Sequence, residues 1–316
     1  MQWNLAGASM GDPALSYGYS QGFSDQIVDA AVKIITQGVA GNSNRATDVA
    51  MLNEVCTDQV VKITDKLVTA GYVADGINHV KQRMSMLNYP NICGGGDVYD
   101  VVVSNKPLAP LPIIDMEYIA KPSSQVRRHG LLCVERTDAP IVYCVTHLVI
   151  APENNPQLVS IRNAQLSELY QKLEELYAAG KTVVMGGDFN AKTYDSAFNS
   201  FFSPTMPALV PGGSLNIDIS ASCNPDPATC TGHYYDLLRQ YRIDASAQAR
   251  HNGIAYLFVR DDKITEAPWG RNQSQLPEYL GISCNSSTID NLSPGSCSDQ
   301  PVMFGRVSLL YAVVRT

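Results

Sequence analysis

The stretch Lys181-Thr-Val-Val-Met-Gly-Gly-Asp-Phe-Asn190 decides how the rest of the chain is read. Thr182 to Met185 is an apolar, β-branched run that reads as a buried strand, expected to stop at Gly186 and Gly187, where the backbone turns sharply and makes room. Asp188 and Asn190 then stand at the mouth of that strand. A carboxylate and a nearby amide in such a place can hold and polarise a water beside a metal-bound phosphate, but the same residues also make an ordinary strand-to-loop turn. Fragments elsewhere in the chain favour the first reading.

The chain has 316 residues, 45% hydrophobic and 17% charged, enough to bury a large core, and no linker or repeat divides it. A single domain over residues 1–316 is the economical expectation. A net charge of −7 and a pI near 5.2 argue against a basic groove that binds nucleic acid by charge alone. They leave room for an enzyme that meets phosphates through cations. No apolar run approaches the about 18 to 20 residues of a membrane helix, so no transmembrane segment is expected. With no leader peptide and a strand reading that starts at Gln2, the expectation is a mature chain whose leader has been removed.

Eight cysteines fall in sequence-near couples: Cys56 with Cys93, Cys133 with Cys144, Cys223 with Cys230, and Cys284 with Cys297. Leu131-Leu-Cys-Val-Glu135 and Ile141-Val-Tyr-Cys-Val145 flank the turn Arg136–Pro140, which would set Cys133 opposite Cys144 in a hairpin. Four such pairs imply an oxidising, extracellular compartment. The alternative is a set of buried free thiols. None has the Cys-x-x-Cys spacing of a zinc site.

In chain order, a strand at Gln2–Leu5 is followed by a helix capped by Ser24 and running to Gln37. Val49–Leu52 reads as a strand ending in Asn53 and Glu54, and Thr57 as the cap of a second helix. Val98–Val103 and the cysteine hairpin are strands, the latter running into His147. Pro156 to Ala179 is a long helix ended by Gly180. Residues 203–235 and 268–297 read as long loops, with strands at 254–259, 301–304 and 307–314. Asn4, Glu54, His147, Asp188, Asn190 and Asp299 each follow an apolar run, and strand ends of a layered sheet can converge on one rim. Their amide and carboxylate oxygens select Mg²⁺, Mn²⁺ or Ca²⁺ over softer metals.

Trp3-Asn4-Leu5, Leu52-Asn-Glu54, Cys144-Val-Thr-His-Leu148, Gly186-Gly-Asp-Phe-Asn190 and Ser298-Asp-Gln-Pro-Val302 resemble the ordered motifs of the endonuclease/exonuclease/phosphatase (DNase I-like) superfamily. Arg127-Arg-His-Gly-Leu-Leu132 and Leu158-Val-Ser-Ile-Arg-Asn163 are most similar to the nuclease subunit of cytolethal distending toxins and its secreted bacterial relatives. The resemblance implies an α+β fold in four α/β/β/α layers, two mostly antiparallel sheets packed face to face between helices. It implies that Glu54 binds the divalent metal with Asn4 and Asp299 nearby. Asp188 and Asn190 would orient or deprotonate the water, and His147 would protonate the leaving oxygen or stabilise the phosphorane. Arg128 and Arg162 would hold phosphate, and Asp97 would orient His147.

Two departures bear on activity. The family's final Ser-Asp-His motif is here Ser298-Asp299-Gln300, and Ala255 stands where an Asp usually orients that His. Glutamine donates a hydrogen bond but does not exchange a proton near neutral pH. Asn53 replaces a usual Gln, a milder change. Three readings stay open: a secreted phosphodiesterase acting on DNA with a weakened or altered site; a phosphoinositide phosphatase or phospholipase C-type enzyme acting on a phospholipid headgroup; and a non-catalytic binding subunit. The sequence does not say whether a delivery partner exists.

Overall fold

The protein is represented by a computed structural model that describes residues 1–5, 21–37, 46–72, 79–84, 93, 97–122, 129–192, 195–203, 230–237, 255–264, 269–273, 302–306 and 309. Among the described residues, two six-stranded sheets carry the fold. The first has β1 (Gln2–Asn4), β2 (Val49–Cys56), β3 (His79–Met84), β4 (Val98–Ser104), β11 (Trp269–Gln273) and β12 (Val302–Arg306), in the order β11-β12-β1-β2-β4-β3. The second has β5 (Ile114–Glu117), β6 (Gly130–Glu135), β7 (Ile141–His147), β8 (Thr182–Asp188), β9 (Tyr234–Asp236) and β10 (Ala255–Arg260), in the order β5-β6-β7-β8-β10-β9. The helices are α1 (Gln21–Gln37), α2 (Thr57–Thr69) and α3 (Pro156–Ala178).

Alternation along the central strands sets the layers. In β2, Ala50 and Leu52 pack with Ile27, Ile34 and Ile63 of α1 and α2, while Met51 packs between the sheets with Val145 and Leu257. In β8, Val183 and Met185 meet Leu169 and Leu173 of α3, while Val184 turns inward. Strands buried on both faces must read as unbroken apolar runs. The result is the expected four-layer α/β/β/α sandwich.

Among the described residues two ladders are parallel, β1–β2 and β7–β8, and each sits inside its own sheet. A parallel pair needs a long crossover, supplied by α1 for the first and α3 for the second. Each pair therefore delivers two C-terminal ends to the same rim: Asn4 beside Asn53, and His147 beside Asp188.

Cys133 and Cys144 face each other in the β6–β7 ladder with Cα atoms 4.1 Å apart and are disulfide-bonded, as are Cys56 and Cys93. Cys230 is disulfide-bonded, but Cys223, Cys284 and Cys297 lie outside the described residues.

Several expectations are corrected. α1 starts at Gln21, so Ser24 is inside the helix, and Thr57 is the first residue of α2, after Cys56, whose N–H donates to Gln59 Oε1 at 2.9 Å. The strands β3 and β5 fall where no element is expected, while β9 overlaps the end of the expected loop 203–235 and β11 lies within the expected loop 268–297. All four are sheet edges, paired to a neighbouring strand on one side, and β3 and β11 carry polar residues along their length. Nor does β8 stop at its glycines; it runs through them to Asp188. Their role is close approach: a Cβ on Gly187 would lie 2.1 Å from the Thr146 carbonyl oxygen, and one on Gly186 2.7 Å from Met51 Sδ across the sheets.

Gly187→Ala must displace backbone and is expected to cost about 3 kcal/mol or more. Gly180→Ala, at φ +80° with open space around it, is expected to cost about 1 kcal/mol. Urea unfolding of both variants measures the contrast.

Candidate active site

The two pairs of strand ends meet across the sheets. Asn4 Nδ2 donates to Asp188 Oδ2 at 3.1 Å, and both side chains are buried. His147 Nε2, on a side chain 1% exposed, lies 3.7 Å from Glu54 Oε1 and 3.9 Å from Asp188 Oδ2. The expected Asn4, Glu54, His147, Asp188 and Asn190 are thus brought to one place.

Glu54 reaches it by a β-bulge. Leu52 pairs with Val101 and Val55 with Tyr99, so Asn53 and Glu54 share the single opposing position of Asp100. Glu54 has φ 59°, a left-handed conformation that costs a side-chain-bearing residue about 1 to 2 kcal/mol. Such strain persists only where the surroundings over-determine it. They do so here: Asn53 Nδ2 donates to Asp100 Oδ1 at 2.7 Å and to the Thr146 carbonyl at 3.0 Å, and Asn53 Oδ1 accepts from Gln2 Nε2 at 3.1 Å. Thr146 Oγ1 in turn donates to the Gly130 carbonyl at 2.9 Å and lies 2.7 Å from the Tyr118 hydroxyl. His129 Nδ1 is 3.1 Å from the His147 carbonyl, which only accepts, so this nitrogen carries the proton.

Asp100 is the carboxylate that the sequence reading missed. It is fully buried, and burial, aided by the nearby Asp188 charge, pushes its carboxyl up to about 7 against the opposing hydrogen bonds from Asn53 and the Glu54 backbone. A lone acid inside Val98-Tyr-Asp-Val-Val-Val103 was the available signal. Asp97 instead sits at the entrance of β4, where its N–H donates to Thr57 Oγ1 at 3.1 Å and its carbonyl accepts from the Thr57 N–H at 3.0 Å.

Beyond β8 the chain is pinned by Phe189, buried among Phe198, Tyr256 and Phe258 at ring separations of 5.8, 5.3 and 5.3 Å. Asn190 follows at φ 47°. Its N–H donates to Asp188 Oδ1 at 3.0 Å and its side-chain amide to the Leu148 carbonyl at 2.8 Å. Arg162 is brought beside this turn, buried, with its guanidinium bonded to protein oxygens. Ala255 pairs with Asp188 in the β8–β10 ladder, so a side chain there projects next to the site. Arg128, Asp299 and Gln300 lie outside the described residues. Among the described residues no group of three or more His, Cys, Asp or Glu forms a metal cage, and no helix is long and apolar enough to cross a membrane.

No family model matches the chain, and no curated relative does. Solved structures do. An endonuclease/exonuclease/phosphatase from Beutenbergia cavernae gives a TM-score of 0.56 at 18% identity, over 98% of this chain and 70% of that one. The mannosyl-6-phosphatase Bt3783 of Bacteroides thetaiotaomicron gives 0.51 at 11%, over 98% of each chain. D. rerio TDP2 complexed with a single-strand DNA product gives 0.50 at 12%, over 96% of this chain and 95% of that one. The chain has the endonuclease/exonuclease/phosphatase, DNase I-like fold.

The shift of Asp100 carries a pH signature. Its folded value lies above the ordinary 3.8, so the folded chain holds the proton more tightly and stability falls as pH rises from about 4 to about 7. In Asp100→Asn, whose amide oxygen still accepts from Asn53, that fall is expected to vanish. Thermal melting of the metal-free protein should show wild type losing up to about 1.4 kcal/mol per pH unit across the window, and the variant a flatter profile.

Proposed function

We propose that this chain, a single domain over residues 1–316, is a secreted, divalent-metal-dependent phosphodiesterase of the nuclease kind with an altered site. The observation that carries the reading is the buried convergence of Glu54 and Asp188 on His147 Nε2, with Asn4 and Asn190 holding the two Asp188 oxygens. A carboxylate fixed by hydrogen bonds at both oxygens keeps lone pairs aimed in set directions, which suits it to orient a water and take its proton. Asn190 would fix the water's approach, and His147 would hold or deliver a proton at Nε2 toward the departing oxygen.

The oxygen donors of Glu54 and Asn4 fit a hard divalent cation, with Asp299 as the further carboxylate. Bound there, Mg²⁺ or Mn²⁺ would neutralise charge on the phosphate. Arg128 would grip that phosphate. The disulfides Cys56–Cys93 and Cys133–Cys144 support an oxidising, extracellular setting. DNA as substrate is supported by the likeness to TDP2 in complex with DNA product. A phosphomonoesterase reading, including phosphoinositides, has the support of the mannosyl-6-phosphatase likeness. The binding-subunit reading draws on Gln300 and on Ala255 beside Asp188.

Plasmid nicking and bis(p-nitrophenyl) phosphate hydrolysis with Mg²⁺, set beside phosphate release from short-chain phosphoinositides, separate these readings. Asp188→Asn is expected to lower diester turnover by about 10²- to 10⁴-fold. Glu54→Ala is expected to abolish Mg²⁺ or Mn²⁺ binding in calorimetry without unfolding the chain. Unchanged binding removes Glu54 from the site.

The altered pair makes a further expectation. Gln300→His alone should help modestly and Ala255→Asp alone not at all, while the double variant should exceed the product of the single effects, because groups acting as a unit are non-additive. A double variant no faster than Gln300→His removes Ala255 from the orienting role.

A further inference from the structure

Arg162 has no part in the chemistry above, yet it is buried and hydrogen-bonded to the Asn190 turn. Its side chain is 8% exposed on α3. One terminal nitrogen donates to the Asn190 carbonyl at 2.8 Å and to the Ala151 carbonyl at 3.5 Å. The other is paired with Asp195 Oδ2. The second Asp195 oxygen accepts from the Ala197 N–H at 3.2 Å and so caps the short 3₁₀ turn Ser196–Ser200. One guanidinium therefore ties together the segment after β7, the segment after β8 and the turn that follows.

We propose that Arg162 is a positioning residue that acts through Asn190, and that it does not bind phosphate. The proposal rests on Asn190 belonging to the hydrolytic site. Asn190 occupies a left-handed conformation at φ 47°, held by its N–H on Asp188, its side chain on Leu148 and its carbonyl on Arg162. Asparagine tolerates that region better than most residues, but the exact aim of its side chain is then set by what holds the backbone. Losing the carbonyl anchor frees one of the three. For a phosphate to recruit this guanidinium, it would have to displace the Asp195 carboxylate, which also caps the Ser196–Ser200 turn. With its charge met by Asp195 inside the protein, Arg162 offers an anion little, and its fork geometry suits the two carbonyls and the carboxylate it already meets.

The test uses full-length Arg162→Ala and Arg162→Lys. Arg162 lines a cavity of about 470 Å³ that also reaches Asn190 and Lys192, so added guanidinium has a way into the space that the alanine variant leaves. Amide exchange at Asn190 reports its N–H bond to Asp188. In Arg162→Ala that exchange is expected to quicken about 10-fold or more, while Val183 to Met185 in β8 stay as slow as in wild type. Millimolar guanidinium should restore it and equal Na⁺ should not. On bis(p-nitrophenyl) phosphate with Mg²⁺, kcat should fall about 10- to 100-fold with KM little changed, and guanidinium should recover part of the loss. Arg162→Lys, which keeps the charge without the fork, should show the same local quickening on an intact fold.

Unchanged exchange at Asn190 overturns the proposal. So does a raised KM and weaker inhibition by inorganic phosphate with kcat kept, the pattern of a phosphate ligand. General quickening through β8 in both variants also overturns it, since the role would be structural only. If the wild type hydrolyses nothing, the hydrolase reading fails by itself, and the exchange comparison still decides whether Arg162 anchors Asn190.

Discussion

The hydrogen bond from Asn4 to Asp188 joins the polar ends of two sheets whose shared interior is mostly apolar, and the contact of Asn53 with the Thr146 carbonyl crosses the same seam. It is possible because each sheet holds a parallel pair of strands, and a parallel pair sends both C-terminal ends to one side. The crossover helices, α1 and α3, follow from the same requirement, and they cover the outer faces of their own sheets. Without those two pairs, Asn4 and Asp188 would end on rims with no reason to face each other. The site is a product of strand direction before it is a product of residue type.

Polar groups brought into that seam need partners, because an unmet buried donor or acceptor costs about 1 to 3 kcal/mol. The seam answers with a chain of contacts: Gln2 to Asn53, Asn53 to Asp100 and Thr146, and Tyr118 beside Thr146. The bulge that lifts Glu54 toward His147 takes its backbone into the left-handed region, and Asn53, one residue earlier, is the clamp that holds it. Asp100 is the weak point of this arrangement. Its carboxyl is pushed toward neutrality by burial, so the network is most comfortable when that group keeps its proton.

The central strands were legible because burial on both faces makes them apolar over their whole length, as in Val49–Leu52, Ile141–Val145 and Thr182–Met185. The polar residues that end them were legible for the same reason, as breaks in an apolar run. The edge strands were not, since His79–Met84 and Trp269–Gln273 carry polar residues that a one-sided strand tolerates and a loop shares. The room that Gly186 and Gly187 make was legible, but the strand does not turn there, and the residues that need the room, Met51 and Thr146, lie far away in sequence. Arg162 was expected to hold phosphate through the resemblance of the Leu158–Asn163 segment, and only the fold reveals Asp195 beside it. Asp100 was hidden because it lies within the apolar strand Val98–Ser104, where it does not mark the end of a run.

The central claim is that Asn4, Glu54, His147, Asp188 and Asn190 form one cation-dependent centre. Its most direct test is nuclear magnetic resonance of the labelled protein during titration with paramagnetic Mn²⁺, which broadens signals close to the bound ion. The account predicts that the Asn4 side-chain amide, the Glu54 amide, the His147 ring and the Asn190 amide broaden first and together, and that Mg²⁺ reverses the effect. Broadening that begins instead at surface carboxylates such as Asp261 and Asp262, with those signals unaffected, would contradict it.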